Sequence, residues 1–165
     1  MGKRQAQASN AAIGYVRVST QEQATTGVSL DAQEARIRAY ATMRGLDLVA
    51  VVVDAGVSGA KALEERAGGA AILEALHRGT VAHIVALKLD RLFRDAEDAL
   101  HHTKAWDKAG VSLHLLDLGG ASLDTSSAMG RMFLTGQFRS LKAGGYFRSL
   151  RYVRRWRYCW RLMWR

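Results

Sequence analysis

The sequence predicts an α/β domain with a mainly parallel sheet of four or five strands and helices on both faces. Short runs rich in Val, Ile and Leu alternate along the chain with longer segments that have helical spacing and capping residues. Strict alternation of strands and helices favours parallel strands joined by right-handed crossovers. With 165 residues, the chain is long enough for one such hydrophobic core and short for two.

The first third of the chain contains two predicted strands and the helix between them. Ala12–Val18 is rich in Val and Ile, which favours a strand. A helix follows after a loop, with Ser29 or Asp31 as its N-cap and Gly45 at its C-terminal end. Leu46–Val53 is an almost continuous apolar run, which is typical of a parallel strand covered on both faces.

The rest of the domain repeats this alternation. The predicted elements are the helix Ala67–His77, the strand His83–Leu87, a helix from about Asp95 to Gly110 and the strand Val111–Leu116. Helix-capping residues within Leu123–Arg131 then predict the start of a further helix.

Both ends of the chain are predicted to lie outside the folded domain, which we assign to residues 11–138. Residues 1–10 are small and polar and lack the apolar run of a signal peptide, so we expect a disordered lead-in. Residues 139–165 hold nine Lys or Arg and no Asp or Glu, so the whole formal net charge of +9 lies there. No stretch reaches the roughly 18 apolar residues of a membrane span. We therefore expect a cytoplasmic protein without a membrane partner.

Several kinds of functional site are excluded because the chain lacks their sequence motifs. The single Cys159 excludes a disulfide framework and an all-cysteine metal site. The chain contains no G-x-x-x-x-G-K-[ST] loop and no H-E-x-x-H sequence. Its five histidines lack the spacing of metal ligands, and we interpret the adjacent His101 and His102 as surface residues. We therefore predict no metal and no cofactor.

Basic and hydroxyl side chains follow two predicted strands at the edge where parallel strands end. Arg17 and Ser19 share one face of the first strand, and Lys88–Asp95 (KLDRLFRD) follows the third. Ligands of open α/β sheets bind at this edge. Arginine forks neutralise phosphate oxygens without a metal, and a serine there is placed to attack phosphorus. The sequence therefore predicts a phosphoryl-transfer site, with Arg66 as a further arginine that could join it.

Two simpler interpretations of these residues stay open at this point. Ser19 and Thr20 could start a turn or cap a helix. The arginines could form a solvated charged face, which is the usual fate of a charge run. Three arginines that converge on one hydroxyl nevertheless favour a tetrahedral anion as the ligand.

Five short motifs are spread over the predicted domain. They are Tyr15–Gln23 (YVRVSTQEQ), Ser29–Gln33 (SLDAQ), Asp54–Gly59 (DAGVSG), Lys88–Arg94 (KLDRLFR) and Asp124–Arg131 (DTSSAMGR). In this order, they resemble the catalytic domain of the serine recombinases, the resolvase/invertase family. The resemblance implies site-specific recombination of DNA without metal or ATP. In that family a serine attacks a DNA phosphodiester to give a 5′-phosphoserine link and a free 3′-hydroxyl, and dimers pair into tetramers that exchange the strands.

The resemblance also implies a role for each residue of the predicted site. Ser19 corresponds to the nucleophile, and Arg17, Arg91 and Arg94 would bind the scissile phosphate. Arg66 would be a fourth arginine, although its flanking residues depart from the family's arginine-proline pair. The supporting residues are Gln23 and Gln33 for the loop and phosphate, Asp90 for orienting an arginine or protonating the leaving oxygen, Tyr15 for the pocket, and Lys88, Asp54 and Ser58 in secondary roles.

The resemblance stops after about residue 138. Arg139–Lys142 (RSLK) stands where the family continues its long interface helix toward a DNA-binding domain. We expect a poorly ordered tail or the product of a shifted reading frame; the alternative is a basic, aromatic-rich arm that binds nucleic acid or an anionic membrane. Two other functions stay open for the whole chain. It could be a non-catalytic remnant of a recombinase, or a domain that binds a nucleotide or phosphorylated metabolite.

Overall fold

A five-stranded sheet forms the centre of the computed structural model, which describes residues 10–19, 30–117, 122–134 and 136. The elements are β1 (Ala11–Val18), α1 (Leu30–Arg44), β2 (Asp47–Ala55), a 3-10 turn (Leu63–Glu65), α2 (Ala67–His77), β3 (His83–Ala86), α3 (Leu89–Leu92), α4 (Ala96–Lys108), β4 (Ser112–Leu115) and β5 (Leu123–Asp124). Residues 128–134 form a further helix, α5. The predicted lead-in before Asn10, the loop that holds Gln23, and the basic tail lie outside the described residues.

The strands lie in the order β2-β1-β3-β4-β5. The pairs β1–β2, β1–β3 and β3–β4 are parallel, and β5 runs antiparallel to β4. The prediction of a mainly parallel α/β sheet is therefore confirmed. Parallel pairing also brings the carboxyl ends of β1 and β3 to the same edge, where their following loops meet.

Helices cover both faces of the sheet, as predicted. On one face α1 contributes Ile37 to a core that includes Ala12 and Val16 of β1. On the other face, Ile13 and Tyr15 of β1 lie in the larger core with residues of α2 and α4. This division follows from the alternation of side chains along a strand. Tyr15, Arg17 and Ser19 accordingly share the face that α2 and α4 cover.

The prediction that Leu46–Val53 is covered on both faces holds only for part of the segment. This segment becomes β2, which pairs with β1 alone among the described residues and so forms an edge of the sheet. Val51 and Val52 near its middle pack against the two cores. Val49 and Val53 are 55% and 43% exposed. The apolar run was a correct signal for a strand, but such a run does not distinguish an edge from a central position.

The segment after β4 differs in part from its prediction. The helix predicted there is present as α5, and the Ser127 hydroxyl accepts a hydrogen bond from the Gly130 N–H at 3.0 Å, as a helix cap does. Leu123 and Asp124, which we interpreted as part of the capping stretch, instead form the short strand β5. None of the described helices is both long and apolar enough to cross a lipid bilayer.

Candidate active site

Arg17 joins the loops that follow β2 and β3. Its side chain is buried, and all three guanidinium nitrogens donate to backbone carbonyl oxygens. Nη1 donates to Val57 at 2.9 Å, Nη2 to Asp90 at 3.1 Å and Nε to Arg91 at 3.3 Å. Ser19 lies two residues further along, partly exposed, just beyond the end of β1. Arg17 thus fixes the two loops that flank the candidate nucleophile.

Arg66 makes a second and more deeply buried connection between the same loops. Arg66 is only 1% exposed to solvent. Its guanidinium donates to backbone carbonyl oxygens in the loop after β2 and in the segment after β3. The acceptors are the carbonyl oxygens of Gly59 at 3.1 Å, Lys61 at 3.0 Å, Arg91 at 2.8 Å and Leu92 at 3.0 Å. Arg66, predicted as a further arginine of the phosphate site, therefore donates its hydrogen bonds to the backbone of both loops.

A buried tyrosine and aspartate extend this network to the start of α2. The Tyr15 hydroxyl donates to Asp54 Oδ2 at 2.8 Å, and the Gly68 N–H donates to Asp54 Oδ1 at 2.8 Å. Arg66 Nη1 in turn donates to the Tyr15 hydroxyl oxygen at 3.3 Å. Burial raises the pKa of Tyr15 to about 12, so the phenol stays protonated and acts as a donor. A continuous chain of hydrogen bonds therefore connects α2 to the β3 loop.

Arg91 and Asp90 lie in α3, directly beside the end of β1. Arg91 Nη1 donates to the Arg17 carbonyl oxygen at 3.2 Å, and its Nη2 is 3.6 Å from Asp90 Oδ2. The short helix ends at Leu92, so Arg94 does not share a helical face with Arg91. Arg91 is thus the arginine whose guanidinium is held at the end of the strand that carries Ser19.

Arg94 is the more exposed member of the predicted cluster. Its side chain is 48% exposed, with Nε 3.4 Å from Asp95 Oδ2. Its backbone N–H donates to Asp98 Oδ2 at 3.1 Å, and Asp95 caps the N-terminus of α4. The backbone of Arg94 is therefore anchored to α4 while its guanidinium extends into solvent. Such a side chain can reach toward a bound phosphate.

The remaining predicted residues occupy varied environments. Lys88 Nζ lies 3.4 Å from Asp117 Oδ2, and the exposed Ser58 accepts a hydrogen bond from the Ala60 N–H at 3.2 Å within a turn. Gln33 is buried near the start of α1, and its Oε1 accepts no hydrogen bond from any of the described residues. The hydrogen-bonded network unites Tyr15, Arg17, Asp54, Arg66, Asp90 and Arg91, whereas Lys88, Ser58 and Gln33 have no described hydrogen bond with it.

Two residues that support predicted arginines, Gly59 beside Arg17 and Asp98 beside Arg94, were not predicted as site residues. A Cβ added to Gly59 would lie 2.9 Å from Arg17 Nη2, so the glycine leaves space for the guanidinium. Asp98 holds the Arg94 backbone. A glycine that supports an arginine has no sequence signature, but the spacing of Arg94 and Asp98 on either side of the helix start was available as a signal.

The interpretation of His102 as a surface residue is wrong, while His101 is exposed as predicted. The His102 ring stacks on Phe93 with centroids 5.8 Å apart and lies 5.6 Å from Trp106. Its side chain is only 14% exposed. His102 and Trp106 are one turn apart on α4 and share the face that packs against the sheet, and this helical spacing decides which of two adjacent histidines is covered.

A second buried polar cluster lies on the α1 side of the sheet. His114 Nδ1 and the Tyr40 hydroxyl are 3.1 Å apart, and His114 Nε2 lies 3.0 Å from His83 Nδ1. Burial lowers the pKa of His114 to about 4, although nearby Asp124 opposes this change. His114 is therefore neutral at physiological pH, which lets each ring nitrogen share a hydrogen bond with a neighbour.

Comparison with known families agrees with this geometry. Residues 12–138 match the family described as "Resolvase, N terminal domain". The chain belongs to the resolvase family. This resolvase-family chain is 33% identical to the transposon Tn2501 resolvase of Escherichia coli over 120 residues, which are 73% of this chain and 56% of that protein. It is also 33% identical to the R46 site-specific recombinase of Escherichia coli over 129 residues, 74% of this chain and 56% of the relative.

Solved structures of resolvase-like domains have the same fold. The N-terminal catalytic domain of TP901-1 integrase superposes with a TM-score of 0.69 and 34% identity, over 81% of this chain and 94% of that one. A resolvase family site-specific recombinase from Streptococcus pneumoniae gives a TM-score of 0.61 and 25% identity, over 81% and 88%. The chain spans about half the length of the curated relatives it matches. The family and fold expected from the five motifs are confirmed.

Proposed function

We propose that this domain cleaves and rejoins DNA in site-specific recombination, through a phosphoserine intermediate on Ser19. The observation that carries the proposal is the position of Ser19 at the end of β1, where Arg17 and Arg91 are hydrogen-bonded to each other. Membership of the resolvase family supports it. The same membership supports DNA and further copies of the recombinase as partners.

In the proposed reaction the Ser19 hydroxyl oxygen attacks the scissile phosphorus. A bond forms between phosphorus and the serine oxygen, and the bond from phosphorus to the 3′ oxygen breaks. The serine gives up its proton, and the leaving 3′ oxygen takes one to become a free hydroxyl. Rejoining is the reverse attack by a 3′-hydroxyl on the phosphoserine. One phosphodiester replaces another, so the exchange needs no external energy source.

Arginines would stabilise the charge that develops during this attack. The pentacoordinate transition state concentrates negative charge on its equatorial oxygens, and guanidinium groups stay protonated and bind such oxygens in pairs. We assign this contact to Arg91, held at the end of β1, and to Arg94, whose side chain extends into solvent. Asp90 lies 3.6 Å from Arg91 Nη2 and would orient that arginine.

The buried residues of the network would act as positioning residues. Arg17 and Arg66 bind the carbonyl groups of the two loops, and Tyr15 and Asp54 connect them to α2. We propose that Arg66 holds the Arg91 backbone instead of touching phosphate. Gln23 and Gln33 would position the loop after β1, and Lys88 and Ser58 would play secondary roles at the edge.

Covalent capture of DNA tests the proposed reaction. The full chain would be incubated with nicked duplexes carrying candidate crossover sequences, and adducts that survive SDS would be resolved on a gel. An adduct formed by the wild-type chain and by Ser112→Ala, a change at the start of β4 outside the site, but not by Ser19→Ala, is the expected result. The contrary result is no adduct from this chain, while a version extended by the long helix and DNA-binding domain of a resolvase captures the same DNA. That result would mean that this chain is a non-catalytic remnant.

A further inference from the structure

Three side chains that can bind metals meet beside Arg94. Glu64 comes from the 3-10 turn, and Asp98 and His102 lie one turn apart on α4. One oxygen or nitrogen from each lies within 4.8 Å of the other two. We propose that Glu64, Asp98 and His102 form a binding site for a divalent transition-metal ion of the zinc type.

The spacing of the ligand atoms fits a metal ion better than direct hydrogen bonds. His102 Nε2 is 3.6 Å from Asp98 Oδ1 and 3.7 Å from Glu64 Oε2. These distances exceed the usual limit of a hydrogen bond. Two ligands that each lie about 2.1 Å from a tetrahedral zinc ion are about 3.4 Å apart. The two distances from His102 Nε2 are therefore within about 0.3 Å of the separation of two zinc ligands, and all three ligand atoms lie within 4.8 Å of one another.

Asp98 is the buried carboxylate of the cluster, with a side chain that is 7% exposed. Its Oδ2 accepts the hydrogen bond of the Arg94 backbone, and its Oδ1 lies 3.6 Å from His102 Nε2, beyond hydrogen-bond distance. A carboxylate removed from water is stabilised by a nearby positive charge. A divalent ion at Oδ1 would add such a charge to the hydrogen bond already made at Oδ2.

The His102 ring is already held in the orientation that metal binding requires. Phe93 stacks on it at an interplanar angle of 20°, and Trp106 packs beside it. The ring therefore loses little conformational freedom when Nε2 binds an ion. Fixing a ligand before the metal arrives raises the affinity of a site, because the ordering cost is not met at the moment of binding.

The donor set selects the class of metal. One imidazole nitrogen and two carboxylate oxygens suit zinc and its neighbours, while magnesium and calcium prefer oxygen alone. The two carboxylates would balance the double charge of the ion. The bound ion would link the segment directly before Arg66 to the helix that anchors the Arg94 backbone. The site is therefore structural, and it does not depend on the proposed reaction.

Zinc binding by matched histidine variants tests this site. The full chain would be stripped of metal with a chelator, dialysed, and titrated with zinc chloride by calorimetry, with thermal melting in parallel. The variants are His102→Gln, Glu64→Gln and the control His101→Gln, which changes the exposed neighbouring histidine. The wild-type chain and His101→Gln should each bind one more zinc ion per chain than His102→Gln and Glu64→Gln. Zinc should raise their melting temperature by several degrees.

Two results would overturn the proposal. One is an equal number of zinc ions bound by His101→Gln and His102→Gln, which would place all binding elsewhere in the chain. The other is a Glu64→Gln variant that keeps the wild-type zinc affinity and thermal shift. Glu64 is 59% exposed, so its replacement leaves the fold intact and isolates the loss of a ligand.

Discussion

Arg17 and Arg91 are hydrogen-bonded to each other in both directions. Arg17 Nε donates to the Arg91 carbonyl oxygen at 3.3 Å, and Arg91 Nη1 donates to the Arg17 carbonyl oxygen at 3.2 Å. Arg66 donates to the same Arg91 oxygen at 2.8 Å. Three of the predicted arginines are therefore hydrogen-bonded together, and a change in buried Arg17 or Arg66 should move Arg91, which we propose binds the phosphate.

Arg17→Lys should destabilise the domain as well as abolish its reactivity. A lysine ammonium cannot reach the three carbonyl groups that a guanidinium spans, so the partly buried carbonyl groups of Val57 and Asp90 lose a donor. The Arg91 carbonyl group keeps the hydrogen bond from Arg66. Each unsatisfied buried group costs about 1–3 kcal/mol. Urea unfolding should show this loss, and Arg94→Lys, a change at a more exposed arginine, should not. Equal stabilities of the two variants would contradict the structural role of Arg17.

Arg66→Ala should lower the free energy of unfolding by roughly 3 kcal/mol or more, because several buried acceptors lose a charged donor together. Arg66 binds carbonyl groups of both loops and the Tyr15 hydroxyl. Arg78→Ala is the matched control, since that side chain is 67% exposed and forms a surface ion pair. Denaturant unfolding measures both. A difference below about 1 kcal/mol would argue against Arg66 as the cross-link of the loops.

Gly59→Ala should reduce covalent capture of DNA with little loss of stability. The new Cβ would lie 2.9 Å from Arg17 Nη2 and push that end of the guanidinium away from the Asp90 carbonyl oxygen. The guanidinium can adjust, so the effect should fall on the alignment of Arg17 and Arg91. Gly136→Ala, where a Cβ would have no atom of the described residues within 4 Å, should leave capture unchanged. Full capture by Gly59→Ala would show that the site tolerates a displaced Arg17.

The domain should lose stability as the pH falls from about 6.5 to 4. The pKa of His114 is lowered by burial to about 4 in the folded chain, so the unfolded chain binds more protons across this window. Each unit of pKa difference corresponds to about 1.4 kcal/mol. Urea unfolding at several pH values gives the free energy of unfolding as a function of pH. This free energy should change less steeply with pH in His114→Gln than in His77→Gln, which changes an exposed histidine. Equal slopes would assign the acid sensitivity to other groups.

Asp124 should add to the acid sensitivity only at lower pH. Burial alone would raise its pKa, but hydrogen bonds from Ser126 and the nearby His114 and Arg44 give a net lowering. A carboxyl group with a lowered pKa contributes stability that is lost as the pH falls through its folded value. That loss begins below the window assigned to His114. The two contributions can therefore be separated along one pH series.

The sequence by itself determined the type and order of most elements, because the signals for these are local, but it did not predict the short strand β5. Hydrophobic spacing and glycine predicted α2 with the bounds observed, Ala67–His77, and predicted the start of α4 near Asp95, which is its N-cap. The motif at Tyr15–Gln23 and those that follow identified the family. The predicted parallel pairing also brings the ends of β1 and β3, and with them Ser19 and Arg91, to one edge of the sheet, which agrees with the observed strand order.

Only the tertiary structure decided which predicted arginines face solvent and which hold the backbone. Arg66 and Arg94 look alike in the sequence, yet one is buried among carbonyl groups and the other extends into solvent. Backbone carbonyls are present at every residue and leave no pattern to read. The exposure of Val53 and the proximity of Glu64 to His102 also depend on how distant segments pack together. Contacts between distant segments depend on how the elements pack, and local spacing does not encode that packing.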